Sequence, residues 1–334
     1  MFIGDEEYRR DIMRSLYITQ KYGILKRKDN SLFFKNNEVE REIPINQIDM
    51  IHIFGNVTLS SGAISLLTAK NIPVYFYNRN GKFKGYLMTP HYKSDGIILI
   101  KQFEAYYNKN RRLSIAKSFL KGAKKSMMIV LKNDKDSLEK IKNIDFEANN
   151  HSELLGKESN LWKIFYSSLR SQLKYFSFER REYNPPKDEV NALISFGNSV
   201  LYSTILSKIY ETCLNPKISY LHEIMRYRDS LIFDISEIFK PLFVGKFILY
   251  LINKRIIREE HFISKEDRVY LNDEGIKTFL YHFDKNLEKT FHFPKYKRNI
   301  SNKTLIKYEC YNLINALLNN EDYTPLILKE GLKI

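Results

Sequence analysis

The spacing of apolar residues changes once along the chain. From residue 15 to about residue 90 they come in short β-branched and aromatic runs, which predict strands over 15–18, 23–27, 31–34, 48–54 and 74–77. Lys28-Asp29-Asn30, Asn36-Asn37 and Asn78-Arg79-Asn80-Gly81 supply turn chemistry between these runs. One helix is predicted over 61–70, closed by Asn71 ahead of Ile72-Pro73. From about Asp95 the period becomes helical. A long amphipathic stretch runs from Ile97 through Leu131, followed by helices near 136–149, 160–176, 189–213, 230–239 and 241–254. Two more follow a short polar insertion near 263–272. The expected fold class is α+β, with an N-terminal mostly β domain at 1–90 and a larger all-α catalytic domain at 91–334. Residues 1–12 read as a peripheral extension, and 89–94, around Pro90, as the linker.

Composition adds a partner class. Lys and Arg number 54 against 39 Asp and Glu, a net charge of +15. A chain of 334 residues with 43% apolar content buries a real core, so the charge belongs to a folded surface and favours an anionic partner, with nucleic acid first. Cys213 and Cys310 have neither the number nor the spacing for a disulfide framework or a zinc site. No stretch reads as a signal peptide or approaches the roughly 20 apolar residues of a membrane span, so the expectation is a cytoplasmic protein with no membrane partner.

Against this basic background stand four residues suited to a hard divalent cation. Asp234 and Glu237, spaced i, i+3 within Leu231-Ile232-Phe233-Asp234-Ile235-Ser236-Glu237, share one face of a helix. His222 offers an imidazole nitrogen, and Glu158 a further carboxylate. Oxygen-dominated ligation with one nitrogen suits Mg²⁺ or Mn²⁺ better than Zn²⁺. The same spacing also fits a solvated acidic face, and a lone histidine packs or hydrogen-bonds more often than it binds metal. Spacing alone leaves both readings open.

The surrounding residues carry a resemblance. The block from Glu182-Tyr183-Asn184-Pro185-Pro186 through Asn191-Ala192-Leu193-Ile194-Ser195-Phe196-Gly197-Asn198-Ser199 is similar to the signature of the CRISPR-associated adaptation integrases. These are the first-numbered family of CRISPR-associated proteins. Gly156-Lys157-Glu158 matches the family's Gly-x-Glu motif, Leu221-His222-Glu223 its Leu-His-Glu, and Asp234 through Pro241 its Asp-x-x-Glu/Asp-x-Phe-x-Pro block. Ser159, Asn184 and Ile224 depart from the usual residues at their places, and none of them is a ligand. The series resembles the branch found with type I systems.

The resemblance implies a metal-dependent DNA endonuclease and integrase of CRISPR adaptation. Such an enzyme joins 3′-hydroxyl ends of short DNA into a repeat array by phosphodiester transesterification. Glu158, His222 and Glu237 would hold Mg²⁺ or Mn²⁺, and Asp234 would support catalysis. The implied partners are double-stranded and branched DNA, a second copy of the chain, and the small ferredoxin-like second CRISPR-associated protein. Arg226 and Arg228, between the histidine and the acid pair, are candidate phosphate contacts, with Arg181 and Asn191 further candidates for DNA. The alternatives are a plain metal-dependent nuclease on branched DNA and a nucleic-acid-binding scaffold without chemistry.

Overall fold

The computed structural model describes residues 14–88, 95–182, 185–294 and 297–329. The expectations for residues 1–12 and for the linker at 89–94 lie outside them. The chain divides into two compact units. One comprises Met1–Tyr92, Glu259–Ile263 and Tyr270–Asp284, and the other Lys93–Arg258, Ser264–Val269 and Lys285–Ile334. The two returning segments carry no local signal that assigns them to the first unit.

In the first unit, β1 (Arg14–Ile18), β5 (Ile48–Ile53), β7 (Val74–Tyr77) and β8 (Phe83–Leu87) form one sheet in the order β1-β5-β7-β8. A second sheet, in the order β4-β3-β2-β6, comprises β2 (Tyr22–Lys28), β3 (Ser31–Lys35), β4 (Glu40–Ile43) and β6 (Asn56–Leu59). The strands of low apolar content, β4 and β6, form because neighbours supply their ladders: β4 pairs antiparallel with β3, and β6 parallel with β2. Helix α1 (Ser61–Ala69) is capped by Ser60, whose hydroxyl accepts the Ala63 N–H. Its Ala63, Leu66 and Leu67 share a core with Leu16, Ile18, Leu25, Phe34, Ile51 and Ile53.

Period-2 alternation sends the intervening residues to the opposite face of the first sheet. There His52 lies 4.8 Å from the Tyr17 ring and hydrogen-bonds the Tyr77 hydroxyl at 2.9 Å. The Tyr17 hydroxyl donates to Asp284 at 3.3 Å, and Arg79 pairs with Asp273, so polar contacts tie the returning segment to this unit.

The second unit is helical, with α2 (Gly96–Tyr107), α3 (Lys109–Val130), α4 (Lys135–Lys142), α5 (His151–Gln172), α6 (Glu189–Tyr210), α7 (Leu231–Lys240) and α8 (Lys246–Asn253). The stretch read as one long helix breaks at Asn108, whose side chain caps α3 by accepting the Arg111 N–H. The polar insertion near 263–272 forms a hairpin of β9 (Phe262–Lys265) and β10 (Arg268–Leu271). Helix α9 (Asp273–Glu288) leads to a ribbon of β11 (Thr290–Phe293) and β12 (Arg298–Ser301), and α10 (Asn302–Leu318) and α11 (Leu326–Lys329) complete the chain. Among the described residues no helix is long and apolar enough to cross a membrane.

Two helices differ from their expected extent in ways that matter for the site. Helix α5 begins at His151, nine residues earlier than expected, because the Asn150 side chain caps it by accepting the Glu153 N–H at 3.0 Å. Gly156 sits inside the helix on its exposed side, where a glycine only lowers propensity. Between α7 and α8 the residues Pro241–Gly245 form a π turn, so the two helices run on almost as one. Gly245 is required there, since a Cβ on it would lie 2.7 Å from the Phe165 ring of α5.

Candidate metal centre

Helix α5 carries Glu158 in its interior, and Trp162 one turn later on the same face. Helix α7 carries Asp234 and Glu237 on its buried side. His222 arrives on the loop between α6 and α7. Glu158, His222 and Glu237 meet, with one ligand atom from each within 4.8 Å of the others. Residues 64 and 15 positions apart in sequence thus converge on one point.

Asp234 has another task. Its wholly buried carboxylate accepts the backbone N–H groups of Tyr220 at 2.5 Å and Leu221 at 3.0 Å on one oxygen, and of His222 at 3.0 Å on the other. That second oxygen also lies 2.8 Å from His222 Nδ1. A carboxylate only accepts, so Nδ1 carries the hydrogen and Nε2 keeps its lone pair for a cation. The loop is gripped from its other side as well. The Tyr220 carbonyl accepts from Arg112 Nε at 3.1 Å and faces His151 Nε2 at 2.8 Å, and Arg112 also pairs with Glu223.

Glu237 is buried too, but differently held. Trp162 Nε1–H donates to one oxygen at 2.7 Å, and the Lys240 ammonium donates to the other. The same ammonium lies 4.7 Å from the Trp162 ring centre. Burial would lower the Lys240 pKa, yet Glu237, helped by Tyr202 and Tyr166, outweighs it and holds it above the ordinary lysine range. Glu158 is pushed up to about 7, first by burial and then by the charge of Glu237, against the pull of His222 and Lys240. Burial acts to lower the His222 pKa, but Asp234, Glu237 and Glu158 together raise it.

Two crowded carboxylates and an imidazole with a free Nε2 fit a hard cation such as Mg²⁺ or Mn²⁺. Each Glu237 oxygen has a second lone pair beyond the bond it already accepts. Lys240 is the competitor, a protein cation on the same carboxylate.

The expected DNA contacts fare unequally. Arg228 is exposed, with its guanidinium 4.0 Å from the Phe233 ring centre, and that ring lies 5.8 Å from the His222 imidazole. Arg226 is exposed on the same loop. Asn191 requires a correction: it is wholly buried and unavailable to a phosphate. Its Oδ1 accepts from Glu182 N–H at 2.8 Å and Arg181 Nη1 at 2.8 Å, and its Nδ2 donates to the Arg180 carbonyl and to Asp188. Arg181 is committed to the same knot, with Nη2 donating to Ser195 at 2.9 Å. Both residues fasten the segment before α6, whose first turn is capped by Asp188.

Trp162, Lys240, Arg112 and His151 were not anticipated at the site. Lys240 stands three residues after Glu237, and Trp162 four after Glu158, so both were legible from helical spacing. Nothing local joins Arg112 or His151 to Tyr220.

The fold and the site together describe a two-unit α+β protein whose helical part gathers acids and a histidine from three distant motifs. The family model described as CRISPR associated protein Cas1 matches residues 16–285. A CRISPR-associated endonuclease Cas1 from Thermodesulfovibrio yellowstonii is 40% identical over 321 residues, covering 94% of this chain and 98% of that one. Another, from Clostridium perfringens, is 38% identical over 325 residues, with coverage of 94% and 98%. The solved structure of a Cas1 protein from Thermotoga maritima superposes with a TM-score of 0.84 at 37% identity, covering 93% of this chain and 98% of that chain. The chain belongs to the Cas1 family.

Proposed function

We propose that the protein is a metal-dependent DNA endonuclease and integrase of CRISPR adaptation. The observation that carries this reading is the meeting of Glu158, His222 and Glu237 from three separate segments in a chain of this family. Glu158, His222 Nε2 and Glu237 would hold Mg²⁺ or Mn²⁺, which would polarise the scissile phosphate and stabilise charge in the transition state. The chain's own residues do the rest. Asp234 fixes the imidazole tautomer and orientation, so it is a positioning residue. Trp162 orients Glu237, and Lys240 keeps the buried acid neutralised. Arg228 and Arg226 stand where an approaching phosphate passes and can hold its oxygens. The attacking group is a DNA 3′-hydroxyl for joining or water for cleavage, so no protein nucleophile is needed.

A second copy of the chain, DNA, and a small ferredoxin-like partner complete the proposed assembly, and the compartment is the cytoplasm. One observation favours a non-catalytic scaffold instead: Lys240 already neutralises Glu237 as a divalent ion would. Incubating the purified protein with branched DNA and Mn²⁺ or Mg²⁺ separates the two. Metal-dependent products are expected, and their complete absence with the small partner present sinks the enzymatic reading. Joining of a labelled 3′-hydroxyl end to a supercoiled target separates integrase from plain nuclease.

A further inference from the structure

Past the π turn the helix presents a different face to solvent. Lys246, Tyr250 and Lys254 follow one another at four-residue spacing along α8 and its C-cap, and all three are exposed. The residues between them, Phe247, Ile248, Leu251 and Ile252, are buried. Two further lysines gather at the N-terminal end. After partial burial, the charges of Lys132 and Lys289 are what press the Lys246 ammonium below its ordinary range. The Lys289 ammonium also lies 5.8 Å from the Tyr250 ring centre. Glu288, beside Lys289 in sequence, lies 3.7 Å from Lys303. At the far end the Arg255 guanidinium lies 4.8 Å from the ring centre of Tyr175, which is 48% exposed. Asn253 fastens that end to α5 by donating to the Gln172 carbonyl and accepting the Lys174 N–H.

Like charges assembled on one face repel one another, and an anion laid across them relieves the repulsion. We propose that this face of α8 is a track for the phosphate backbone of DNA, separate from the metal ligands. Lys246 and Lys254 are eight residues apart, roughly 12 Å along a helix, which matches the axial rise of three to four nucleotides. Tyr250 and Tyr175 lie among the cations, and exposed rings beside positive charge suit bases and sugars better than an acidic protein segment. The inference takes its partner from the DNA reading above but does not depend on the metal.

The test uses the full chain carrying Lys132→Glu, Lys246→Glu and Lys289→Glu together. Its affinity for a duplex of about 30 base pairs is followed across a salt series in EDTA. Three phosphate contacts are at stake, so the slope of log K against log salt is expected to become shallower by about 3, with affinity at low salt falling more than ten-fold. The Gln versions of the same three positions, which do not introduce repulsion, are expected to show a comparable slope change. A control with the same change in net charge, Lys26→Glu, Lys70→Glu and Lys82→Glu in the first unit, should move the slope by less than one contact. An unchanged slope in both α8 variants, or an equal change in the control, overturns the proposal. Because these measurements exclude metal, a failure of cleavage with Mn²⁺ would remove the nuclease reading and leave this one standing.

Discussion

Helix α7 brings two carboxylates to the same buried surface and treats them in opposite ways. At its N-terminal turn Asp234 meets three backbone N–H groups and an imidazole, a complete set of donors fixed by the chain. One turn later Glu237 meets an indole N–H, a lysine on a long stem, and the like charge of Glu158. The first arrangement is settled without help from outside, whereas the second keeps one electrostatic conflict. A satisfied buried acid builds the scaffold, and an acid crowded by its own kind is positioned to take up a cation. The difference lies in the partners, since both are wholly buried acids of one helix.

Replacing a ligand tests the crowded end most severely. His222→Ala is expected to lower metal-dependent cleavage and joining by about three orders of magnitude or more. DNA affinity and melting temperature should move little, because the half-buried ring leaves no large cavity and the basic surface remains. Near-normal joining by this variant would show that the imidazole has another role. At the settled end, Asp234→Asn keeps the volume but replaces one acceptor oxygen with a donor facing backbone N–H groups. Divalent affinity should fall by about 10–100-fold, and the urea midpoint should fall as well. A variant that loses stability while binding metal normally would break the link between this carboxylate and the ligand ring.

The conflict between Glu158 and Glu237 has a pH signature. The Glu158 carboxyl is raised from an ordinary 4.5 to about 7, so the folded chain holds a proton that the unfolded chain has released. The contribution to stability is fully present below about 4.5 and is lost as pH rises through about 7. Glu158→Gln removes that loss. In EDTA at pH 8 the variant should melt about 2–4 °C above the parent, and at pH 4 the two should coincide. Mn²⁺ should raise the melting temperature of the parent alone. Melting curves at the two pH values check this, and a variant less stable at pH 8 would mean that the carboxylates do not repel. The mildest change is Trp162→Phe, which keeps the ring but removes one hydrogen bond to Glu237. Metal affinity is expected to drop by about ten-fold or less, measured by calorimetry.

Much of this was legible in the chain, for identifiable reasons. Strand β7 is a continuous apolar and aromatic run, β5 is rich in isoleucine, and the acid pair of α7 follows helical spacing. What escaped depended on distant partners. The start of helix α5 was missed because its Asn150 cap lies in a polar stretch, Asn149-Asn150-His151-Ser152-Glu153, that carries no apolar pattern. Nothing in the sequence marks the partners of Arg111 and Arg112: Arg111 donates to the carbonyls of Ala316 and Glu321, and Arg112 to that of Tyr220. Asn191 was expected at DNA, but it fastens backbone near the start of its own helix. In each case the side chain's chemistry was visible in the sequence and its partner was not.

The π turn at Pro241–Gly245 has a consequence for how this segment tolerates change. A five-residue π turn carries one residue more than regular α geometry would need. Removing a single residue there would let the helix run on as a regular α-helix, because the wide turn is what takes up that residue. Asp234 and Glu237 would stay in place, and Lys246, Phe247, Ile248 and Tyr250 would keep nearly the same faces. The same deletion inside α8 meets no wide turn to take it up, and everything beyond it would swing by roughly 100° about the axis. Tyr250 would be driven toward the interior and Leu251 turned out to water. Loss of one codon is therefore expected to be tolerated within Pro241–Gly245 and to unseat the helix between Lys246 and Tyr250, while every ligand survives in both.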